Sequence, residues 1–261
     1  MSKFVNYNSV ECQILKKLFN EMPMMDAYIA NIVEEYIYSN VRETNEEGYI
    51  IEYRTKYGEK DGEYKIWFSN GQLSLQTTYI DGKLDGEYTE WYEDGQLAIQ
   101  TAYLNGKIHG EYKEWYSNED ADNNQIWKEI TYKNGKLHGE YKRWYKNGKL
   151  NVEITHADGK YHGEYKEFFY NGQISLQTIY IDGKLDGEYK EWYEDGQLAT
   201  QTTYVDHKLH GEYKRWYKNG KLFKQIFYLN DKRHGEYKEW WENGQLWHQV
   251  NFVNGELQNR I

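Results

Sequence analysis

Cysteine and proline are nearly missing from this chain of 261 residues, with one of each. A single thiol, Cys12, cannot close an internal disulfide, which fits a reducing compartment. The lone proline, Pro23, sits near the N-terminus, so nothing after it interrupts a run of strand hydrogen bonds. No stretch reaches the roughly 18 apolar residues of a membrane-spanning helix. The opening MSKFVNYNSVECQ also lacks the apolar core of a secretory signal. The expected location is therefore the cytoplasm. Basic charge is short as well: 42 acidic residues against 32 basic ones leave a net charge of −10. That balance argues against nucleic acid as a partner and disfavours an anionic membrane lipid. Glycine is absent before Gly48, and hydrophobic residues make up only 39% of the chain.

What is abundant is aromatic: 28 Tyr, 10 Trp and 8 Phe, or 18% of the residues, too many for a disordered chain. They recur on a strict period. The glycine of a Gly-Glu-Tyr triplet stands at Gly62, Gly86, Gly110, Gly139, Gly163, Gly187, Gly211 and Gly235, always 24 residues apart except for one interval of 29. A second glycine follows nine residues after each, except where the longer interval places SNEDADNNQ, Ser117 to Gln125. Residues 70–94 also recur at 171–195 with three differences, so the array grew by copying blocks. Copying repeats surface residues without any functional demand for them.

Within one unit, Gly86 to His109, a short aromatic stretch at Glu87–Tyr92 and a strand-favouring one at Leu97–Leu104 are separated by turn dipeptides, Asp94-Gly95 and Asn105-Gly106. Each unit therefore reads as a two-stranded hairpin, and eight units as an antiparallel meander. One hairpin of this size cannot bury enough surface to offset the entropy of ordering it, so neighbouring copies must stabilise one another. Strand alternation points Tyr88 and Tyr92 to one side and Trp91 to the other.

The two ends differ from the array. Residues 1–47 carry helical periodicity, with Asn8 and Glu11 as an N-terminal cap, Ile14, Leu15, Leu18, Phe19 and Met22 on one face, and Asp26 capping a second helix over Ile29, Ile32, Val33, Tyr36 and Ile37. This segment is expected to cap the first sheet edge or to dock a partner, with the repeat array filling 48–261. At the far end, Trp240, Trp241, Trp247 and Phe252 crowd the last unit, as at an interface between two copies of the chain.

Units such as YKNGKLHGEYKRWYKNGKL (Tyr132 to Leu150) and YLNDKRHGEYKEWWENGQL (Tyr228 to Leu246) resemble the MORN repeat, in particular its 24-residue variant of bacteria and large DNA viruses. The resemblance covers about residues 53 to 257. It implies an elongated, twisted antiparallel sheet of hairpins with a groove, used for protein association and dimerisation and, for a viral chain, a host-cytoplasmic setting. This chain departs from its own pattern in places. Asp61, Asp85 and Asp186 stand where other units have His, and His207 and Asp231 where others have Gly.

Three constellations invite chemistry. The histidines His109, His138, His162, His210 and His234 recur beside carboxylates, but copies two strands apart lie about 9.6 Å from each other, too far to share one metal ion. A local hydrogen bond at the turn is the expected role. Acids of the Gly-Glu-Tyr triplets lie at spacings that glycoside hydrolysis could use. Many equivalent acids on an open sheet give none a distinctive pKa, and cross-strand Glu/Lys pairing is expected instead. The inserted Asp120 to Asn124 begins like a calcium loop, but Gln125 replaces the glycine of the sharp turn and Thr131 the closing glutamate.

These features define a mostly β scaffold, non-enzymatic and without cofactor or metal, that binds a protein partner and pairs with itself through its C-terminal repeats. Its candidate groove aromatics are Tyr88, Trp91, Tyr112, Trp115, Tyr141, Trp144, Tyr189, Trp192, Tyr213 and Trp216. The competing reading is a glycan or membrane-lipid surface formed by the same aromatic rows. Basic units, EYKRWYKNGKL at 140–150 and 212–222, alternate with acidic ones such as EYTEWYEDGQL and set local positive stripes within an acidic chain.

Overall fold

The computed structural model describes residues 37–118 and 124–258. Its regular elements are β-strands, distributed over two compact units, Met1–His109 and Gly110–Ile261. In the first unit β1 (Tyr38–Thr44), β2 (Ile50–Lys56), β3 (Glu59–Trp67), β4 (Leu73–Ile80), β5 (Lys83–Trp91), β6 (Leu97–Leu104) and the short β7 (Lys107–Ile108) follow one another as an antiparallel meander.

The second unit continues the same plan. It comprises β8 (Gly110–Trp115), β9 (Ile126–Lys133), β10 (Lys136–Trp144), β11 (Leu150–Ala157), β12 (Lys160–Phe168) and β13 (Ile174–Ile181). After these come β14 (Lys184–Leu185), β15 (Gly187–Trp192), β16 (Leu198–Val205), β17 (Lys208–Leu209), β18 (Gly211–Trp216), β19 (Leu222–Leu229), β20 (Lys232–Trp240), β21 (Leu246–Val253) and β22 (Glu256–Gln258). The pairs β14/β15 and β17/β18 are single strands interrupted at Asp186 and His210.

Strand structure starts earlier than the sequence suggests. Tyr38–Thr44, placed by periodicity in the helical segment ending at residue 47, pairs residue for residue with Ile50–Lys56. Asn45 makes the connection: its Oδ1 accepts the main-chain N–H groups of Glu47 (3.1 Å) and Tyr49 (2.9 Å). The β-branched and aromatic residues Tyr38, Val41 and Thr44 suit a strand, which is largely exposed toward its C-terminal end. The two helices expected over residues 1–36, with Cys12 and Pro23, lie outside the described residues, as does most of the insertion at Asp120.

Each repeat uses two different turns. After Trp91, the N–H of Gly95 bonds to Tyr92 O (2.9 Å) and that of Tyr92 to Gln96 O (2.8 Å), while Asp94 Oδ1 accepts from Gln96 N–H (3.0 Å). Only Gly95 has positive φ there (86°), so this is a turn closed by a glycine bulge. After Leu104, both Asn105 (φ 51°) and Gly106 (φ 78°) are left-handed, the two-residue hairpin that matches strand twist.

Two irregularities per repeat bend the ladder. Ala98 is the extra residue between the pairs Glu90↔Ile99 and Trp91↔Leu97. Between Thr77↔Tyr88 and Tyr79↔Leu84, a single residue of β4 faces the three residues Asp85, Gly86 and Glu87. The triplet glycine belongs at this bulge for two reasons, seen best at Gly187. Its φ is +127°, and a Cβ there would stand 3.2 Å from Ile179 Cδ1.

Neighbouring repeats are tied at both ends. At the two-residue turns, Gly106 N–H reaches Leu84 O (2.7 Å) and Gly159 N–H reaches Leu137 O (2.8 Å). At the other turns, tyrosine hydroxyls donate to carbonyls of the following repeat, as in Tyr193 to Trp216 O (2.7 Å) and Tyr217 to Trp240 O (2.8 Å). Asn147 and Asn219 do the same with their amides, to Tyr170 O (2.9 Å) and Glu242 O (3.1 Å). The deepest burial among the described residues falls on branched side chains, Thr178, Ile154 and Ile226 at 1%, 2% and 0% exposure.

Candidate functional site

The most deeply buried side chains lie along one face of each unit. Register and alternation place the triplet tyrosines on this face, each opposite a Thr, Ile or Val of the next strand: Tyr88 across from Thr101 in the first unit, Tyr141 from Ile154, Tyr213 from Ile226 and Tyr237 from Val250 in the second. On the same face most triplet tyrosines pack their rings against a second tyrosine. Tyr88–Tyr103, Tyr189–Tyr204 and Tyr213–Tyr228 have centroids 5.3, 5.6 and 6.1 Å apart.

Most of these phenols are also hydrogen-bonded. Where the residue two positions on is glutamate, the hydroxyl donates to it: Tyr112 to Glu114 (2.6 Å) and Tyr189 to Glu191 (2.5 Å), and likewise Tyr88 to Glu90, Tyr165 to Glu167 and Tyr237 to Glu239. Burial pushes the phenols of Tyr88, Tyr165, Tyr189 and Tyr237 well above the usual range, and the neighbouring carboxylate adds to the shift. They are neutral donors at any physiological pH.

The opposite face is a charge ladder. Lys142 pairs with Glu140 and Lys190 with Glu188, each at 2.7 Å, and Gln201 adds a bond to Glu188 (2.8 Å). The sequence suggested Glu/Lys pairing across strands; Lys128 and Glu114 pair that way (2.7 Å), whereas the pairs just named lie within one strand, two residues apart. The direct cross-strand neighbour of Lys190 is Gln201, so the nearest carboxylate on that face is the one on its own strand. The lysine's hydrogen bond holds the carboxyls of Glu164, Glu188 and Glu212 below their ordinary range.

The structure divides the candidate groove aromatics. In the first unit Tyr88 is on the tyrosine face, and Trp91, three residues on, alternates to the other. In the second, Tyr112, Tyr141, Tyr189 and Tyr213 share the tyrosine face while Trp115, Trp144, Trp192 and Trp216 alternate away from it. Trp115 is buried. A surface contacting the tyrosines therefore does not contact those tryptophans.

At the C-terminal hairpin, Trp241 and Trp247 are about half exposed (51% and 55%), with ring centroids 5.1 Å apart. Phe252 instead closes the tyrosine face, 6.0 Å from the Tyr237 ring, and the Trp240 carbonyl receives the Tyr217 hydroxyl. Beside them β22 pairs with β21, its one strand partner among the described residues.

Histidines and aspartates before the triplets act on turns. Asp61, Asp85 and Asp186 accept the main-chain N–H of Asp81 (3.3 Å), Asn105 (2.8 Å) and Asp206 (3.0 Å), and His162 Nδ1 lies 3.4 Å from the corresponding N of Asp182. Asp and His are thus alternative acceptors for one job. His207 and Asp231, in the glycine position, hold φ of 68° and 67° and accept from the N–H of Leu185 (3.2 Å) and Leu209 (2.8 Å). Among the described residues no three His, Cys, Asp or Glu side chains converge as a metal site.

Sequence reading passed over the places where the tyrosine face stops repeating. His156 replaces a row tyrosine. It is buried, its ring lies 5.0 Å from Tyr161 and 5.9 Å from Tyr141, and burial lowers its pKa. With Arg143, Val152 and Glu167 these residues line a shallow depression of about 300 Å³. The equivalent depression in the last repeats, about 430 Å³, is lined by Arg233, Tyr237, Glu239, Trp247, His248 and Phe252, among others. The signal for both was present as departures from the repeat on one face, visible only once the faces are known.

A family model described as a MORN repeat variant matches residues 60–81, 84–107, 137–158, 161–182, 185–206, 209–230 and 233–254, well over half of the chain. The unmatched repeat is the one carrying the insertion. A search of curated proteins finds no match. Among solved structures, the crystal structure of TarM is similar over 67% of this chain at 8% identity and a TM-score of 0.21, a likeness too slight to build on. The chain spans about a quarter (26%) of that structure's length. No helix among the described residues is long and apolar enough to cross a membrane.

Proposed function

Because the chain belongs to the MORN repeat variant family, we propose that it is a non-catalytic repeat scaffold whose tyrosine face in the second unit binds a protein partner and whose last hairpin joins two copies. The observation that carries the reading is the exposed Trp241–Trp247 pair beside β22, which has one strand partner among the described residues. Large exposed aromatics favour association. The tyrosine face supports partner binding in a different way. Its phenols are fixed by glutamates and by ring packing, so the surface is rigid and loses little entropy when covered.

Light scattering tests the self-association directly. The full chain should form particles of twice 31.5 kDa, and Trp247→Asp together with Trp241→Ser should return them to 31.5 kDa. A wild-type particle of single mass at micromolar concentration would dismiss the dimer. For partner binding, cross-linking from cysteines introduced on the tyrosine face should capture protein that cysteines on the charge ladder do not.

A further inference from the structure

The stretch EYKRWYKNGKL occurs twice, at 140–150 and 212–222, so that each residue of the first copy has a counterpart 72 positions later. The two copies sit in different surroundings. In the first, the cations are satisfied. Arg143 Nε donates to Asn151 Oδ1 (2.7 Å), and its cross-strand neighbour Lys128 pairs with Glu114 (2.7 Å).

In the second copy those partners have been exchanged. The counterpart of Asn151 is Phe223, which offers Arg215 a ring at 5.8 Å in place of an acceptor. The counterpart of Val152 is Lys224, directly across from Arg215 in the ladder. The counterpart of Tyr161 is Arg233, across from Tyr228. The second copy thus carries three cations on this stretch of the tyrosine face where the first has two, Arg143 and Lys128, the latter replaced by Thr200.

Their recorded neighbours are rings. Lys224 Nζ lies 5.0 Å from the centroid of Tyr237, and Arg233 Cζ lies 5.6 Å from Tyr237 and 5.4 Å from Phe252. None of the three makes an ion pair or a side-chain hydrogen bond among the described residues. Glu239, the carboxylate facing Lys224 across the strands, is engaged by the Tyr237 hydroxyl. Burial lowers the Lys224 pKa; Glu239 across the strands supports its charge, and Arg233 and Arg215 oppose it more weakly.

Arg215 and Arg233 are exposed and Lys224 half-buried, so in a chain of net charge −10 they make a local positive patch open to an anionic partner, with Glu239 the carboxylate facing Lys224. The half-buried Phe252 adds an apolar wall, which a bare inorganic anion would leave unused. We infer that Arg215, Lys224 and Arg233 form a docking site for an acidic peptide segment of a partner protein, whose carboxylates meet the three cations while an apolar side chain lies on the half-buried Phe252. This specifies the partner within the scaffold reading and rests on it.

The test uses the full chain and three short fluorescein-labelled peptides built on leucine and phenylalanine, carrying glutamates, lysines or uncharged glutamines. Fluorescence anisotropy should show binding of the glutamate peptide alone, against the protein's net charge. The affinity should fall between about 0.01 M and 0.15 M salt as screening sets in. Lys224→Val with Arg233→Leu, residues that other repeats carry at these positions, should weaken binding at least about tenfold, with the urea midpoint and particle mass unchanged. Arg143→Glu, at the satisfied copy, should leave the affinity as it was.

Preference for the lysine peptide, absence of glutamate-peptide binding, or equal binding by the double variant would overturn the inference. Should the double variant unfold, the salt titration and the peptide series on the unaltered chain still decide. If cross-linking captures a partner on the tyrosine face and the glutamate peptide is ignored, the scaffold reading survives and this site does not. If no partner is captured there, the scaffold reading itself fails.

Discussion

The Tyr145 hydroxyl lies 2.7 Å from the main-chain carbonyl of Phe168, 23 residues later, and so fastens one repeat to the next. Tyr193 and Tyr217 make the same bond two and three repeats on. An array whose single repeats are too small to hold themselves together is sensitive to such ties. Tyr145→Phe, which keeps the ring and removes only the donor, should cost about 1 kcal/mol. Tyr145→Phe with Tyr193→Phe should cost close to the sum, because the sites share no partner. Urea unfolding of the variants measures both, and an unchanged midpoint would show that the phenol bonds do not contribute.

Gly187 and Gly211 occupy the same triplet position but meet different neighbours. A Cβ at Gly187 would stand 3.2 Å from Ile179 Cδ1, with φ at +127°, whereas nothing lies within 4 Å at Gly211, where φ is +90°. Alanine at Gly211 should therefore cost only its backbone strain, about 1 kcal/mol, and at Gly187 about 2 kcal/mol or more. Equal losses in thermal unfolding would mean that the ring of contacts at Ile179 yields freely.

The pH dependence has a sign on each side. The phenols of Tyr88, Tyr165, Tyr189 and Tyr237 are raised in the folded chain by burial and by their glutamate partners. Their contribution is complete below the unfolded phenol value of about 10 and is lost as pH climbs above it, since the unfolded state then releases protons first. Glu164, Glu188 and Glu212 are lowered by their lysines, so their smaller contribution is present above about 4.3 and disappears in acid. Denaturant midpoints between these limits should be level, and phenolate absorbance should rise only with unfolding. Free titration of these tyrosines near their ordinary value in the native chain would contradict the geometry.

His207 gains one bond and bears one strain. Its Nδ1 accepts from Leu185 N–H, and its φ is 68°. His207→Gly loses the acceptor but relieves the backbone, so stability should change by less than about 0.5 kcal/mol, whereas His207→Ala loses the bond and keeps the strain, costing about 1 to 2 kcal/mol. Thermal melts of the pair separate the two terms, and a glycine variant as damaged as the alanine one would mean that the bond outweighs the strain.

Much of the fold was legible because the information is local. Asn105-Gly106 and Asp94-Gly95 each name their turn, and the distance between them sets strand length. Even so, the two turns differ in type, since a dipeptide alone does not say whether one residue or both adopt positive φ. The start of the sheet at Tyr38 was hidden because a solitary edge strand has no copy elsewhere in the chain to reveal it. The site was less legible than the fold. Tyr88 and Trp91 look like neighbours in sequence, yet their odd spacing sends them to opposite faces, and the repeat conceals the handful of positions that break it.

The sequence by itself determined the hairpin repeat, its period, its turns and its dependence on neighbouring copies, because hydrogen-bond geometry, glycine chemistry and aromatic burial all act over a few residues. Only the tertiary structure decided that Arg143 is satisfied and Arg215 is not. Both sit in the same eleven letters, and what separates them is the side chain that the next strand happens to carry, Asn151 or Phe223, brought alongside by the register of the ladder.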